Sequence, residues 1–273
     1  MFRFKTLQLV ILFLVVLLLI RHLLLDFYRI TSGSMNDTLL LDDISVSINV
    51  KNPVFSIKIS HNDIITFKKK YPRTDKIYIK RCVALPGDTL AMQNGIVRLN
   101  REIVTPHKAL EFDHEIIASD KSLFADNCED EFKTKLILYG YNRIPISQRR
   151  IEYLQKYNNF FLEAKKISNH EKISNQDGWD MDNFGEVIIP YNGFRIQLDN
   201  NLLDWYLIAI MNEESKFNYV NGKYYIENRE IKTYTFKENY YFVLGDNRHH
   251  SVDSRIYGLV SYKEIHGKTL IKL

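Results

Sequence analysis

The chain holds a single long apolar run, and that run limits what the rest can be. Residues 7–25 are apolar apart from Gln8, Arg21 and His22, with an uninterrupted core from Leu9 to Ile20. A bilayer core about 30 Å thick takes about 20 helical residues. The run therefore spans only if Arg21 and His22 reach the far interface and extend their polar ends into it. A cleaved secretory leader is the competing reading, since the run is short and follows Arg3 and Lys5. Against it, Leu23-Leu24-Leu25-Asp26-Phe27-Tyr28 has no small-x-small cleavage pattern, and Phe27-Tyr28 suits the membrane–water interface. The expectation is a cytoplasmic tail at 1–6, a retained transmembrane anchor at 7–25 and a body outside the cytoplasm. Arg3 and Lys5 set that orientation.

Beyond the anchor the pattern is that of short strands. Seventeen Tyr and 16 Phe against 11 Gly favour pleated surfaces. Residues 42–49 alternate through Ile44, Val46 and Ile48, and 63–67, 77–85 and 240–244 are further short apolar runs. Asn94-Gly95 and Asn221-Gly222 are two-residue hairpin signals. Each precedes an Asn-Arg-Glu-Ile segment, at 100–103 and 228–231, which we read as common turn chemistry rather than duplication. Helices are expected over 147–166 and 201–213, with strands near 186–190 and 194–198 between them. A net charge of +4, its basic residues scattered as Lys68-Lys69-Lys70, Arg149-Arg150 and Lys165-Lys166, excludes a nucleic-acid-binding stripe, and these clusters are read as solvated faces. Two cysteines, Cys82 and Cys128, make neither a disulfide framework nor a metal site, and are expected as free buried thiols.

Three segments carry chemistry. The first is Thr31-Ser32-Gly33-Ser34-Met35-Asn36-Asp37-Thr38-Leu39, the second Tyr78-Ile79-Lys80-Arg81-Cys82-Val83-Ala84-Leu85-Pro86-Gly87-Asp88. The third runs from Gly245-Asp246-Asn247-Arg248 through Ser251, Asp253, Ser254 and Arg255 to Gly258. Alone, Ser-Gly-Ser is ordinary turn chemistry, and a lysine in a short strand can guard a sheet edge. A serine hydroxyl becomes a nucleophile when a neighbouring base takes its proton. A lysine is such a base only when neutral, which requires burial among apolar neighbours, as Ile77, Ile79, Val83 and Leu85 provide here. Alternation puts Tyr78, Lys80 and Cys82 on one face of that strand and Ile79, Arg81 and Val83 on the other.

Together and in this order, the three segments resemble the conserved boxes of the bacterial type I signal peptidases, membrane serine proteases with a Ser–Lys dyad. The resemblance implies a mainly β fold. It pairs a signal-peptidase-like β body, residues 30–105 and 236–273, with a large mixed α/β insertion at 106–235 and one N-terminal transmembrane helix. It implies Ser34 as nucleophile, Lys80 as general base, and an oxyanion hole of the Ser32 hydroxyl and the Ser34 N–H. Ser251 would orient the lysine, and Gly245, Asp246, Asp253 and Arg255 would support the site. The implied activity is removal of signal peptides from exported preproteins at the outer face of the cytoplasmic membrane. Small side chains are implied at the first and third residues before the cut, and no metal or organic cofactor. Its partners are signal peptides and the lipid bilayer.

The chain departs from the family pattern at several points. Thr31 and Asp37 stand where prolines are usual, Ala84 replaces Gly, and His249-His250 replace an Asp-Asn pair. Ile256-Tyr257 and Leu259 soften a more aromatic run. We read the histidine pair as a solvated loop, with no third ligand at metal-site spacing. Asp37 keeps open an alternative of another class, a catalytically silent, membrane-tethered relative that binds exported segments. A Ser–Lys autoprotease of the repressor type would carry a DNA-binding domain where this chain has its apolar run. A penicillin-binding enzyme would need Lys three residues after Ser32 or Ser34, and neither has one.

Overall fold

The computed structural model describes residues 8, 10–15, 24–51, 57–70, 76–199 and 201–273. Most of the expected anchor lies outside them; residues 10–15 are helical and each is about half exposed. Among the described residues no helix is long and apolar enough to cross a membrane.

The architecture is mainly β. A seven-stranded antiparallel sheet is built from both ends of the chain. Its strands in sequence are β1 (Leu25–Arg29), β2 (Ile44–Asn49), β3 (Ile64–Phe67), β4 (Tyr78–Ala84), β5 (Tyr240–Leu244), β6 (Val260–Ser261) and β7 (Ile265–Lys272). Their spatial order is β1-β2-β7-β3-β4-β5-β6, so the C-terminal strand sits between β2 and β3. Register follows from which face each side chain must bury. In β4, Cys82 faces a core with Ile65, Phe67, Val243 and Ile265, whereas Val83 faces a second core around Trp205 and Phe242. The alternation read from the sequence thus holds. Both cysteines are free and buried.

Pairing aligns one rim of this sheet. Leu25 lies opposite Ile48, Asn49 opposite Gly267, Ile265 opposite Phe67, and Phe67 opposite Tyr78. The N-terminal apolar segment therefore enters the sheet at the end where β2 and β3 finish and β4 and β7 begin.

The remaining sheets are small. Phe184–Ile188 pairs with Thr89–Gln93, which continues through Ile96–Leu99 to Glu102–Ile103. The paired Asn-Gly segments are both two-residue turns with positive φ, Asn94 and Gly95 in one and Asn221 and Gly222 in the other. Each four-residue strand that follows ends in a second positive-φ pair, Asn100-Arg101 and Glu227-Asn228. Their spacings differ by one residue because the asparagine is first in one turn and second in the other. Shared turn chemistry accounts for the echo.

Two helix expectations need correction. The helix expected over 147–166 is Gln148–Tyr157, capped by Ser147, whose hydroxyl accepts from the Arg150 N–H. Phe161–Lys166 is instead a strand pairing with Glu111–Ala118, a tertiary contact that overrides local propensity. The second begins at Asp204 rather than 201, so its residues 202 and 203 precede the helix. Helices Lys121–Asp126 and Asp130–Tyr139 were not anticipated; Asp120 caps the first by accepting from the Leu123 N–H.

Trp205 is 1% exposed and packs against Trp179, Phe184 and Phe242, joining the helix Asp204–Glu213 to β5 and to Phe184–Ile188. Trp205→Ala is expected to cost about 3–5 kcal/mol of stability by the cavity it leaves. Denaturant unfolding measures this, and a loss under about 1 kcal/mol would contradict the packing.

Candidate active site

The first chemical segment follows β1 as a short 3-10 turn, Gly33–Met35. Ile30, Met35 and Leu39 bury against Ile64 and Ile79, which seats the turn on the sheet between β3 and β4. The turn is held from the third segment as well: the Asn247 N–H donates to the Ser34 carbonyl at 3.0 Å and the Asn247 side chain to the Gly33 carbonyl at 3.1 Å. Ser34 is thereby buried, and its Oγ lies 2.6 Å from Lys80 Nζ. As a first-turn residue, Ser34 carries an N–H with no acceptor inside the turn. Ser32 is exposed, makes no capping bond, and places its Oγ 3.3 Å from that of Ser34.

Lys80 is 4% exposed. Desolvation lowers its pKa to about 8, and the opposing attraction of Asp253 and Asp246 does not restore the ordinary value. Its second hydrogen bond goes to its neighbour's carbonyl, Ile79, at 3.0 Å. Ser251, expected as its orienting partner, does not bond it here. The Ser251 hydroxyl is buried and has no well-formed hydrogen bond among the described residues, although it lies close enough to Asp253 to favour that carboxylate. Ser251 also abuts Gly245, where a Cβ would stand 2.2 Å from the Ser251 hydroxyl and 2.6 Å from the Ser34 carbonyl oxygen. Only glycine allows the third segment to pass so near Ser34.

Two buried acids organise the site. Asp246 accepts from Arg81 Nε at 2.8 Å and Nη2 at 2.6 Å, and from the Thr38 hydroxyl at 2.5 Å. One carboxylate thus joins all three segments, and Arg81 was not singled out from the sequence. Asp253 pairs with Arg255 through two bonds of 2.8 Å and receives the Gly245 N–H at 3.0 Å. Burial would raise the Asp253 carboxyl, but the Arg255 charge and hydrogen bonds outweigh it and hold it below the ordinary carboxylate range.

Residues 106–235 reach the site at several points. His249 is not in a solvated loop: its ring is fully buried, with Nε2 2.9 Å from Asp182 and the Asp113 N–H directed at Nδ1. Burial would lower its pKa, yet the bonds to Asp113 and Asp182 raise it. His250 contacts Asp113 at 2.8 Å, and Arg143 closes on the same carboxylate at 2.6 Å. Asp37 has φ of 65°, which proline cannot adopt, and its carboxylate accepts from Arg149 at 2.6 Å. Tyr139 stacks edge-on against His250, their rings 5.2 Å apart. These links join residues far apart in the chain, so a single sequence carries no signal for them.

Ser32, Ser34 and Lys80 open into a cleft of about 960 Å³ walled by Phe27, Ile77, Tyr139 and Val252. Along it, β5 pairs with β4 only at Arg81–Ala84, which leaves Tyr78–Lys80 without a strand on that side among the described residues. The arrangement can deprotonate a serine beside an extended chain. Among the described residues no group of three or more His, Cys, Asp or Glu is placed to hold a metal ion.

The signal peptidase, peptidase S26 family matches residues 3–151 and 189–273. Signal peptidase I of Buchnera aphidicola subsp. Baizongia pistaciae (strain Bp) is 27% identical over 278 residues, 94% of this chain and 72% of that protein. Signal peptidase I of Aquifex aeolicus (strain VF5) is 29% identical over 268 residues, 97% and 82% of the two chains. A crystal structure of a signal peptidase I from Enterococcus faecalis V583 aligns over 79% of this chain and 98% of that one. It does so at 16% identity and a TM-score of 0.32.

Asp246→Ala would leave Arg81, itself 8% exposed, charged and unpaired. The expected cost is about 3–5 kcal/mol. Thermal unfolding reads it, and a variant as stable as the parent would show that Asp246 does not join the segments.

Proposed function

The chain belongs to the signal peptidase family, peptidase S26, as a serine endopeptidase of the signal peptidase I type, and from that premise we propose that Ser34 is its nucleophile and Lys80 its general base. The reaction is removal of signal peptides from preproteins. The observation that carries the assignment is the 2.6 Å approach of Lys80 Nζ to Ser34 Oγ in a buried setting.

Neutral Lys80 takes the Ser34 proton as Oγ adds to the scissile carbonyl. The oxyanion forms beside the Ser32 hydroxyl and the Ser34 N–H, donors aimed where charge develops. Lysinium then protonates the leaving amine, and the acyl group stays on Ser34. Lys80 next deprotonates a water that hydrolyses the ester, and the serine is regenerated. Ser251 stands beside Gly245 and Asp253 rather than bonding the lysine, while the Asp246–Arg81 and Asp253–Arg255 pairs hold the segments in register. The substrate adds as an extended strand along Tyr78–Lys80, the open edge of β4. Small residues at the first and third positions before the cut suit this approach.

The finer topology is part of the same proposal. Residues 7–25 anchor the chain in the cytoplasmic membrane, and Arg3 and Lys5 keep 1–6 in the cytoplasm with the catalytic body, 30–105 and 236–273, outside. The half-exposed apolar side chains at 10–15 support an apolar surround there. Protease added to spheroplasts should digest the body; protection would reverse the topology.

With a test preprotein, Ser34→Ala and Lys80→Ala are each expected to abolish cleavage, their effects not adding because the two act as one unit. Lys80→Arg should be equally inactive, since arginine keeps its proton in proteins. Substantial cleavage by any of the three would sink the dyad, and no cleavage by the parent would favour the binding-only relative. Ser32→Ala should lose about 100- to 1000-fold in rate.

The pH profile follows from the lysine. Below its pKa Lys80 is protonated and cannot act as base; above it the amine is free. The parent's kcat/KM should therefore rise through about pH 8 and level off above it. A rise centred on about 6.5 would point to a histidine base instead.

A further inference from the structure

We infer that a lysine-rich cleft at the membrane-facing rim of the seven-stranded sheet binds the phosphate head groups of anionic phospholipids. The inference rests on the anchor reading above and goes beyond the protease site.

The sheet register supplies the location. Leu25, where the apolar segment enters, shares its end of the sheet with Asn49, Phe67, Ile265 and Tyr78. Lys51 follows β2 at that end, Lys68, Lys69 and Lys70 follow β3, and Lys263 precedes β7. Backbone bonds lock the neighbours together, Val50 N–H to the His266 carbonyl at 2.9 Å and Lys68 N–H to the Glu264 carbonyl at 3.0 Å. Anchored at residue 25, the sheet must present this end to the bilayer surface.

The chemistry of the cleft is cationic. It has a volume of about 720 Å³ and is lined by six lysines against three glutamates. The glutamates are already committed. Glu264 takes Lys69, which is 2% exposed, at 3.1 Å, and also the Lys70 and Ser261 N–H groups. Glu238 pairs with Lys263, and Glu213 accepts from Tyr240 and Tyr234. Lys51 and Lys70 instead donate to carbonyls, of Lys263 at 2.6 Å and Asn212 at 2.5 Å. A carbonyl engages one of an ammonium group's three protons and supplies no counter-charge of its own. Burial holds His266 below its ordinary pKa, and the Lys51 charge lowers it further. A phosphodiester supplies the missing charge and acceptors, and anionic lipid is the phosphate source that an anchored sheet meets at this rim. On β4, Lys80 lies two residues from Tyr78 at the rim, so head groups held here would fix the height of the dyad above the bilayer.

The test uses the full chain in lipid nanodiscs, either pure phosphatidylcholine or one-third phosphatidylglycerol. Lysines are acetylated briefly and quantified by mass spectrometry, with exposed Lys216 as internal reference. Reaction at Lys51 and Lys70 is expected to slow about fivefold in the phosphatidylglycerol discs, with Lys216 unchanged. Equal rates in both discs would overturn the inference. So would equal protection by inorganic phosphate added to phosphatidylcholine discs, which would make this a site for free anions. Recovery of the chain in the phosphatidylcholine discs reports the anchor separately, so the two readings fail independently.

Discussion

A single buried carboxylate sets the geometry on which the rest depends. Asp246 receives two bonds from Arg81 and one from Thr38, residues 165 and 208 positions away in sequence. Arg81 is the residue after Lys80, and Thr38 lies four after Ser34. Fixing these neighbours fixes the distance between Ser34 and Lys80. A buried ion pair of this kind costs desolvation, and its retention is best understood through register rather than net stability. The Asp253–Arg255 pair repeats the device one loop further on and, by taking the Gly245 N–H, keeps that strand end pressed against Ser34.

The same burial that makes the ion pairs costly creates the chemistry. At Lys80 two effects oppose each other: desolvation favours the neutral amine, and Asp253 and Asp246 favour the charged one. Desolvation outweighs the two acids, each of which is also paired with an arginine. Were either acid left unpaired, its full charge would stabilise lysinium and weaken the base.

Much of this was legible in the sequence, for identifiable reasons. β2 was read from alternation, because a strand buried on one face writes its period into consecutive residues, and β3 to β5 were read as short apolar runs. The two Asn-Gly hairpins were read because positive φ at both turn positions is costly for most residues. Ser34 and Lys80 were named from the order of three short segments. The contacts tying residues 106–235 to the site left no such trace. His249 looked like a loop residue because the aspartates that bury it, Asp113 and Asp182, lie more than 60 positions away. The strand Phe161–Lys166 was taken for helix since its partner, Glu111–Ala118, decides its conformation. Asp37 read as a plain departure from proline, and only the backbone angle with the Arg149 contact shows that the turn has a different shape.

The central claim is that burial leaves Lys80 neutral at the pH where the enzyme works. A direct test is the titration of the Lys80 amine itself, followed by NMR in protein carrying isotope-labelled lysine and assigned by the signal lost in Lys80→Arg. The account predicts a midpoint near pH 8. A Lys80 signal that stays charged up to the ordinary lysine value of about 10.4 would contradict it, since the dyad would then lack a base.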